Sequence, residues 1–347
     1  MSATLERPPT PVASISRPPT KRENYSNTVF RALTYVFAWA TVLLVLFIIF
    51  EIGGAAIPAM RKYGWGFIKG QVWDPNADQY GILPHIWGTL FSSALALVIG
   101  TVLGVAVAIF LSERFLSTFV FRILKVFGKQ FHPVWGQLPD KMDALLKNLV
   151  ELLAAIPSVV YGLWGIFVII PLMRPASEWL HVNLGWIPLF RNSLSNAGML
   201  PAALVLAIMI LPTISAISRD ALVSVPPKLR EAAYGLGATR WEAIFGVIIP
   251  TAQIGIIGSI LLAFGRALGE TMALAMLVGN ANVISVSLFS PGNTLAALLA
   301  NNFPEASKEN VGVLMFAALV LMGITLVVNI IGALVLQKSA AQTRGAR

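Results

Sequence analysis

Six stretches of this chain stay apolar long enough to cross a bilayer. They lie at 29–57, 85–111, 148–173, 199–218, 251–279 and 311–336. A helix rises about 1.5 Å per residue, so ~20 residues cover ~30 Å of hydrocarbon. None of the six alternates with a period of two, so barrel strands are not expected. The pattern predicts an all-α integral membrane protein with six transmembrane helices in one domain over 29–337. Residues 1–28 are polar and carry Pro8, Pro9, Pro11, Pro18 and Pro19. They read as a disordered tail, and 338–347 as a short second tail. The N-terminus is too polar for a signal-peptide core. The first span has no small-residue cleavage site near its end and reads as a retained anchor.

Composition agrees. The 347 residues are 56% hydrophobic and 12% charged. That leaves too little polar surface to cover a soluble enzyme of this size and too many aliphatics for a disordered chain. There is no cysteine, which excludes disulfides, thiolate zinc sites and cysteine nucleophiles.

The formal charge is +9, and its distribution decides what it means. Lys and Arg number 18 in the first tail with Arg31 at its edge, the 112–147 loop, the 218–250 loop and the last tail, but six in the other three connections. Positive residues collect on the cytoplasmic side, so both termini are expected in the cytoplasm and nucleic-acid binding is not expected. In the 112–147 loop Phe119, Ile123, Val126 and Phe127 recur at helical spacing among Arg122, Lys125 and Lys129. This suits a basic amphipathic helix on anionic lipid; a solvated connector packed on a partner suits it equally.

The 218–250 loop is the most informative. Pro226 or Pro227 can open a helix, Gly235 and Gly237 suit a tight turn, and Thr239 with Glu242 forms a capping box that starts a second helix. Pro250 is expected to close the unit before the fifth span. Ala232 and Ala233 permit close approach of another protein. Trp241 reads either as an aromatic anchor in a partner's pocket or as a headgroup-level tryptophan.

In the fifth span Arg266 and Glu270 lie four apart, which predicts one helical face. Charges at membrane depth are costly and face cavities or each other. Two readings stand: an anion pathway using the planar guanidinium fork, or an ion pair that satisfies itself. Gly265 and Gly269 form a small-xxx-small stripe for helix packing.

Glu231-Ala232-Ala233, then Gly237, Val247, Ile249 and Pro250 resembles the EAA loop of ABC-type importer permeases, with Val247 and Ile249 in place of the usual Ile and Leu. The resemblance implies a type I ABC importer permease fold whose loop docks on an ATP-binding subunit. Docking would fall to Glu231, Ala232, Ala233, Gly237 and Pro250, with Trp241 added as the anchor. The chain has no glycine-rich phosphate-binding segment of its own, so ATP and Mg would sit on the partner. The segments GRALGETMALAMLVGN, AAIPSVVYGLWG and LAIMILPTISAISRDAL look like the narrower family of PstC-type permeases of phosphate-specific importers. This resemblance covers most of 30–337. It implies Arg266 and Glu270, with neighbouring Thr271, as substrate-pathway residues. The 112–147 loop looks like an insertion. The implied partners are a second homologous permease chain, two ATP-binding subunits, and a periplasmic or extracellular phosphate-binding protein. The implied location is the bacterial cytoplasmic (inner) membrane, multi-pass.

Other candidates carry less. Glu51 and Glu151 sit near span ends, and Pro157 with Ser158 interrupts the third span, which reads as a simple kink in preference to a freed backbone carbonyl lining a cavity. Asn280, Asn282, Ser285 and Ser287 suit either a solvated loop or a docked external protein. His85, His132 and His181 show no metal-ligand spacing, so neither metal nor hydrolytic chemistry is expected. Importers of molybdate, sulfate or phosphonate are the alternatives within the class. An autonomous secondary transporter would show repeats with paired broken helices, and an intramembrane enzyme would need a nucleophile and base among the spans.

Overall fold

The computed structural model describes residues 20–113, 115 and 138–345. The basic stretch 116–131 of the 112–147 loop, His132 and the first tail to residue 19 lie outside them. Six helices are long and apolar enough to span a membrane. They are α1 (Lys21–Lys69), α2 (Leu83–Ser112), α4 (Ser158–Leu184), α5 (Met199–Val223), α7 (Arg240–Leu268) and the sixth within α10 (Lys308–Gly345). The shorter α3 (Leu138–Ala155), α6 (Pro227–Gly235), α8 (Met272–Leu277) and α9 (Leu295–Asn302) lie between them.

The chain divides into two compact units at Glu51 and Ile52. In the first, Thr20 and Glu23 cap each other's backbone N–H, at 3.3 and 2.7 Å, and open α1. Its large apolar side chains from Tyr25 to Phe50 are exposed. Thr28, Thr34 and Thr41 donate their hydroxyls back to carbonyls four residues earlier. A helix apolar all round, with its hydroxyls satisfied internally, is suited to lipid.

The second unit is organised by α2 against α5. Gly88, Ser92, Ala96, Gly100, Gly104 and Ala108 fall every fourth position on α2, and all are buried. Added Cβ atoms would meet Met199 at 3.0 Å from Gly88, Ile210 at 2.9 Å from Gly100 and Ile214 at 2.8 Å from Gly104. The offset is almost constant, so the two helices run parallel. Small residues let backbones approach where lipid provides no hydrophobic drive. Ser218 and Ser259, both fully buried, share a 2.8 Å hydrogen bond between α5 and α7.

Two helices pass through prolines by the same device. A π-helical turn at Gly165–Ile169 precedes Pro171, and another at Ile244–Ile248 precedes Pro250. In each, the residue before the proline donates five residues back, Ile170 to Gly165 and Ile249 to Ile244. The wider turn accommodates the missing proline N–H and its ring. Pro250 therefore does not close the loop before the span, as its chemistry suggested; the helix from Arg240 runs through it. The third span is corrected the other way. Pro157 produces a full break between α3 and α4, not a kink within 148–173. Proline drives the residue before it out of the helical region, and the Tyr161 hydroxyl bridges the gap to the Leu153 carbonyl at 2.8 Å.

The sequence pattern gave no sign of a hairpin, yet β1 (Trp73–Asp74) and β2 (Gln79–Tyr80) pair antiparallel. Tyr80 donates to Asn310 Oδ1 at 2.7 Å. Asp78, at φ +52°, accepts from Lys62 and from the Tyr63 hydroxyl. Those two donors, Lys62 first, hold its carboxyl below the usual carboxylate range.

Two outcomes are expected. Gly88→Ala would put a Cβ 1.9 Å from the Asn293 carbonyl oxygen. Backbone cannot step aside like a side chain, so the variant should lose ~1–3 kcal/mol of stability, read as a lower melting temperature in detergent; an unchanged one counts against the close approach. The Asp78 clamp should be complete above the ordinary carboxylate pKa and lost as pH falls through the lowered folded value. Amide exchange of residues 73–80 should then quicken, relative to the intrinsic rate, only in acid. Asp78→Asn should remove that acid dependence, and its persistence would assign the effect elsewhere.

Candidate functional sites

Arg266 stands in the last turn of α7. Gly269 N–H bonds the Arg266 carbonyl at 3.2 Å and Glu270 N–H the Ala267 carbonyl at 3.3 Å, a tightening that ends the helix. Glu270 and Thr271 fall in the break before α8, and the Thr271 hydroxyl donates to the Gly269 carbonyl at 3.0 Å. The expected continuous span over 251–279 and single helical face are thereby corrected: the helix stops at Leu268. Among the described residues no ion pair joins Arg266 to Glu270. Arg266 is exposed on the same face as exposed Leu262 and Gly269, and Glu270 is half-buried. The cation suits the negative end of its own helix.

The break lies beside α4. A Cβ on Gly162 would meet Met276 Sδ at 2.6 Å and Ala273 at 3.4 Å, and Tyr161 is within electrostatic range of Arg266. Gly265 faces Asn329 of α10, whose Oδ1 lies 3.2 Å from an added Cβ. Gly269 is exposed and meets only its own helix within 4 Å.

The second site is the two-helix loop. Pro227 opens α6 with Pro226 extended before it. Ala238 N–H reaches the Ala233 carbonyl at 3.1 Å and Gly237 N–H the Tyr234 carbonyl at 3.0 Å. With Gly237 at φ +86°, this is a Schellman ending, which favours glycine. Thr239 and Glu242 form the capping box and start α7. Gly235 is the last residue of α6. Glu231 and Ala232 are exposed, Ala233 is buried, and Pro250 is exposed. Trp241 is 56% exposed and stacks on Phe115 and Phe245 at 5.4 and 6.0 Å. Leu236, 89% exposed at the turn, was not singled out by sequence.

Neither was the cluster behind the loop. Glu113, at the end of α2, has a side chain only 6% exposed. It accepts from Arg230 of α6 and pairs with Arg240 of α7 at 3.8 Å. Arg240 also donates to the Glu113 carbonyl and lies 4.0 Å from the Phe115 ring centroid. Arg230 donates to the Leu222 carbonyl of α5 at 2.8 Å.

The remaining candidates divide. Ser287 is buried between the Asn192 amide and the Leu189 carbonyl, and the Ser285 carbonyl accepts from Trp87 at 2.9 Å. These are internal staples. Asn280 pairs with Asn301 at 2.8 Å, and Asn282 is exposed. His85 is buried edge-on to Trp73, and His181 Nδ1 lies 3.2 Å from the Phe190 carbonyl. Glu151 pairs with Lys147 at 3.5 Å. Among the described residues no group of three His, Cys, Asp or Glu is placed to hold a metal.

Residues 135–340 match the family of binding-protein-dependent transport system inner membrane components. The chain is 37% identical over 336 residues to the phosphate transport system permease protein PstC of Haemophilus influenzae, covering 94% of this chain and 99% of that one. It is 36% identical to the PstC protein of Mesorhizobium japonicum, covering 94% and 93%. It is 34% identical to the probable PstC protein of Methanocaldococcus jannaschii, covering 80% and 83%. A solved inward-facing structure of the MetNI methionine ABC transporter shares the fold, with TM-score 0.50 and 16% identity over 74% of this chain and 95% of that one. With six spans, a capped two-helix loop ahead of the fifth, and a match across more than half its length, the chain belongs to the family of inner membrane components of binding-protein-dependent transport systems.

Proposed function

We propose that this chain is the permease subunit of an ATP-driven importer of inorganic phosphate. The observation that carries the reading is Arg266, exposed beside exposed Leu262 and Gly269 and, among the described residues, without an ion-pair partner. An arginine there needs a water-filled path or an anion. A guanidinium offers phosphate two parallel donors. Glu270, next to it across the helix break, is an acceptor, and phosphate near neutral pH still carries a proton to donate; sulfate does not. Thr271 adds a hydroxyl. The names of the relatives support phosphate over other oxyanions.

The exposed face of α7 around Arg266 is the surface for a second, homologous permease chain, with the pathway between the two. Glu231, Ala232, Gly237 and Trp241, with the rest of the loop to Pro250, receive one of two ATP-binding subunits. ATP and Mg bind there, and this chain performs no catalysis itself. The excess of positive charge in the first tail, the loops at 112–147 and 218–250 and the last tail supports the reading that these segments and both termini are cytoplasmic. A phosphate-binding protein docks on the opposite face. Nucleotide binding then biases the pathway between two access states.

The test is uptake of labelled phosphate at low concentration in cells lacking this gene, with and without the chain, against excess molybdate, sulfate or phosphonate. Restoration abolished only by unlabelled phosphate is expected. Suppression by another oxyanion would move the substrate. Arg266→Gln should lower uptake by about tenfold or more while the complex still assembles, since hydrogen bonds to charged groups are worth ~1.5–3 kcal/mol. Full uptake would remove Arg266 from the pathway. Gly237→Val would force a β-branched residue to φ +86°, costing ~1–2 kcal/mol. Less ATP-binding subunit should then co-purify; normal co-purification would count against docking at this loop.

A further inference from the structure

We infer that Glu113 is the positioning residue that makes the two helices of the loop move as one body with the end of α2. The inference rests on the reading of residues 227–250 as the surface that receives the ATP-binding subunit.

One carboxylate, almost wholly withdrawn from solvent, engages a guanidinium from each side of the turn: Arg230 from α6 and Arg240 from α7. The arginines do not stop at the carboxylate. Arg240 takes the Glu113 main-chain carbonyl at the end of α2, and Arg230 takes the Leu222 carbonyl near the end of α5. Both carbonyls belong to last helical turns, where cations are favoured. Phe115 closes the cluster, stacked at 5.4 Å on Trp241 and at 5.9 Å on Phe110 of α2. Three helices thus meet at one carboxylate, and α5 joins them through Arg230.

Adhesion alone does not require this. Ala108, Leu222, Val225, Ile244 and Ile248 already form a buried apolar contact beneath the same loop. Apolar replacements of buried ion clusters are often as stable or more so. What the charges add is register: two forked donors, one carboxylate and two carbonyls fit together in one arrangement. A load applied to α6 then reaches α2 and α5 without being taken up by bending of the Gly237 turn. Without the carboxylate, two like charges would face each other and each arm of the loop could tilt independently.

The test uses the assembled complex with its ATP-binding subunit, reconstituted with phosphate and the binding protein. The chain has no cysteine, so Val102→Cys on α2 and Lys228→Cys on α6, both exposed, give it a single pair of spin labels when it is assembled with partner subunits whose own cysteines have been replaced. In the wild type the label distance should be the same without nucleotide and with ATP. In Glu113→Gln it should broaden or shift between the two states. In parallel, phosphate moved per ATP hydrolysed should fall roughly two- to thirtyfold, the range of a coupling element, with basal hydrolysis retained. Glu113→Asp, which keeps the charge, should recover part of that ratio. A merely structural role would lower the yield of complex and leave the ratio and the distances of the assembled fraction at wild-type values; that result overturns the inference. Should the wild-type complex hydrolyse ATP and move no phosphate, the substrate reading falls, and the label distances alone decide the clamp.

Discussion

Close approach of α2 and α5 is the constraint on which the rest of the second unit depends. In lipid, apolar side chains gain nothing by leaving one apolar neighbour for another, and helices associate through packing and polar contacts. The row from Gly88 to Ala108 removes side chains along one line of α2 and lets Met199, Ile210 and Ile214 sit against its backbone. With that pair fixed, α7 is held by the Ser218–Ser259 bond, and α8 packs its Ala273 and Met276 against Gly162 of α4. The ends of α2 and α5 then lie where Arg230 and Arg240 can reach both.

Around this rigid pair the chain is irregular where function is proposed. Helix breaks fall at Pro157, four residues before Tyr161, and at Gly269–Thr271, just after Arg266. Non-helical backbone at membrane depth is tolerated where it lines a cavity or is covered by protein. The π turns before Pro171 and Pro250 have a different effect, since they keep helices whole through residues that usually end them. The loop and the fifth span thereby become one continuous rod, α7, from its cap at Thr239 to Leu268.

What could be read from sequence was what local chemistry decides. The spans follow from length and apolarity. The Gly237 turn and the Thr239–Glu242 box follow from residues within four positions of each other, and both formed as expected. Pro250 misled because proline's missing donor is a local fact, whereas the π turn that absorbs it depends on the helix before it. Gly265 meets Asn329 of α10 while Gly269 meets only its own helix, and the longer row on α2 left no comparable sign; inside an evenly apolar span its period of four is masked by the surrounding leucines and valines. Two-residue strands are too short to show alternation, so the hairpin left no pattern. Glu113 lies 117 positions from Arg230, and no spacing rule links residues that meet only after folding.

The row on α2 repeats every four residues while the helix turns once in about 3.6, so it is inclined to the axis like a screw thread. Advancing α2 by one small residue is ~6 Å of travel and about 40° of rotation. Sliding without turning would drive Ile210 and Ile214 out of their glycine notches. A push delivered along α2 is therefore converted into a twist, and the groove itself sets the pitch.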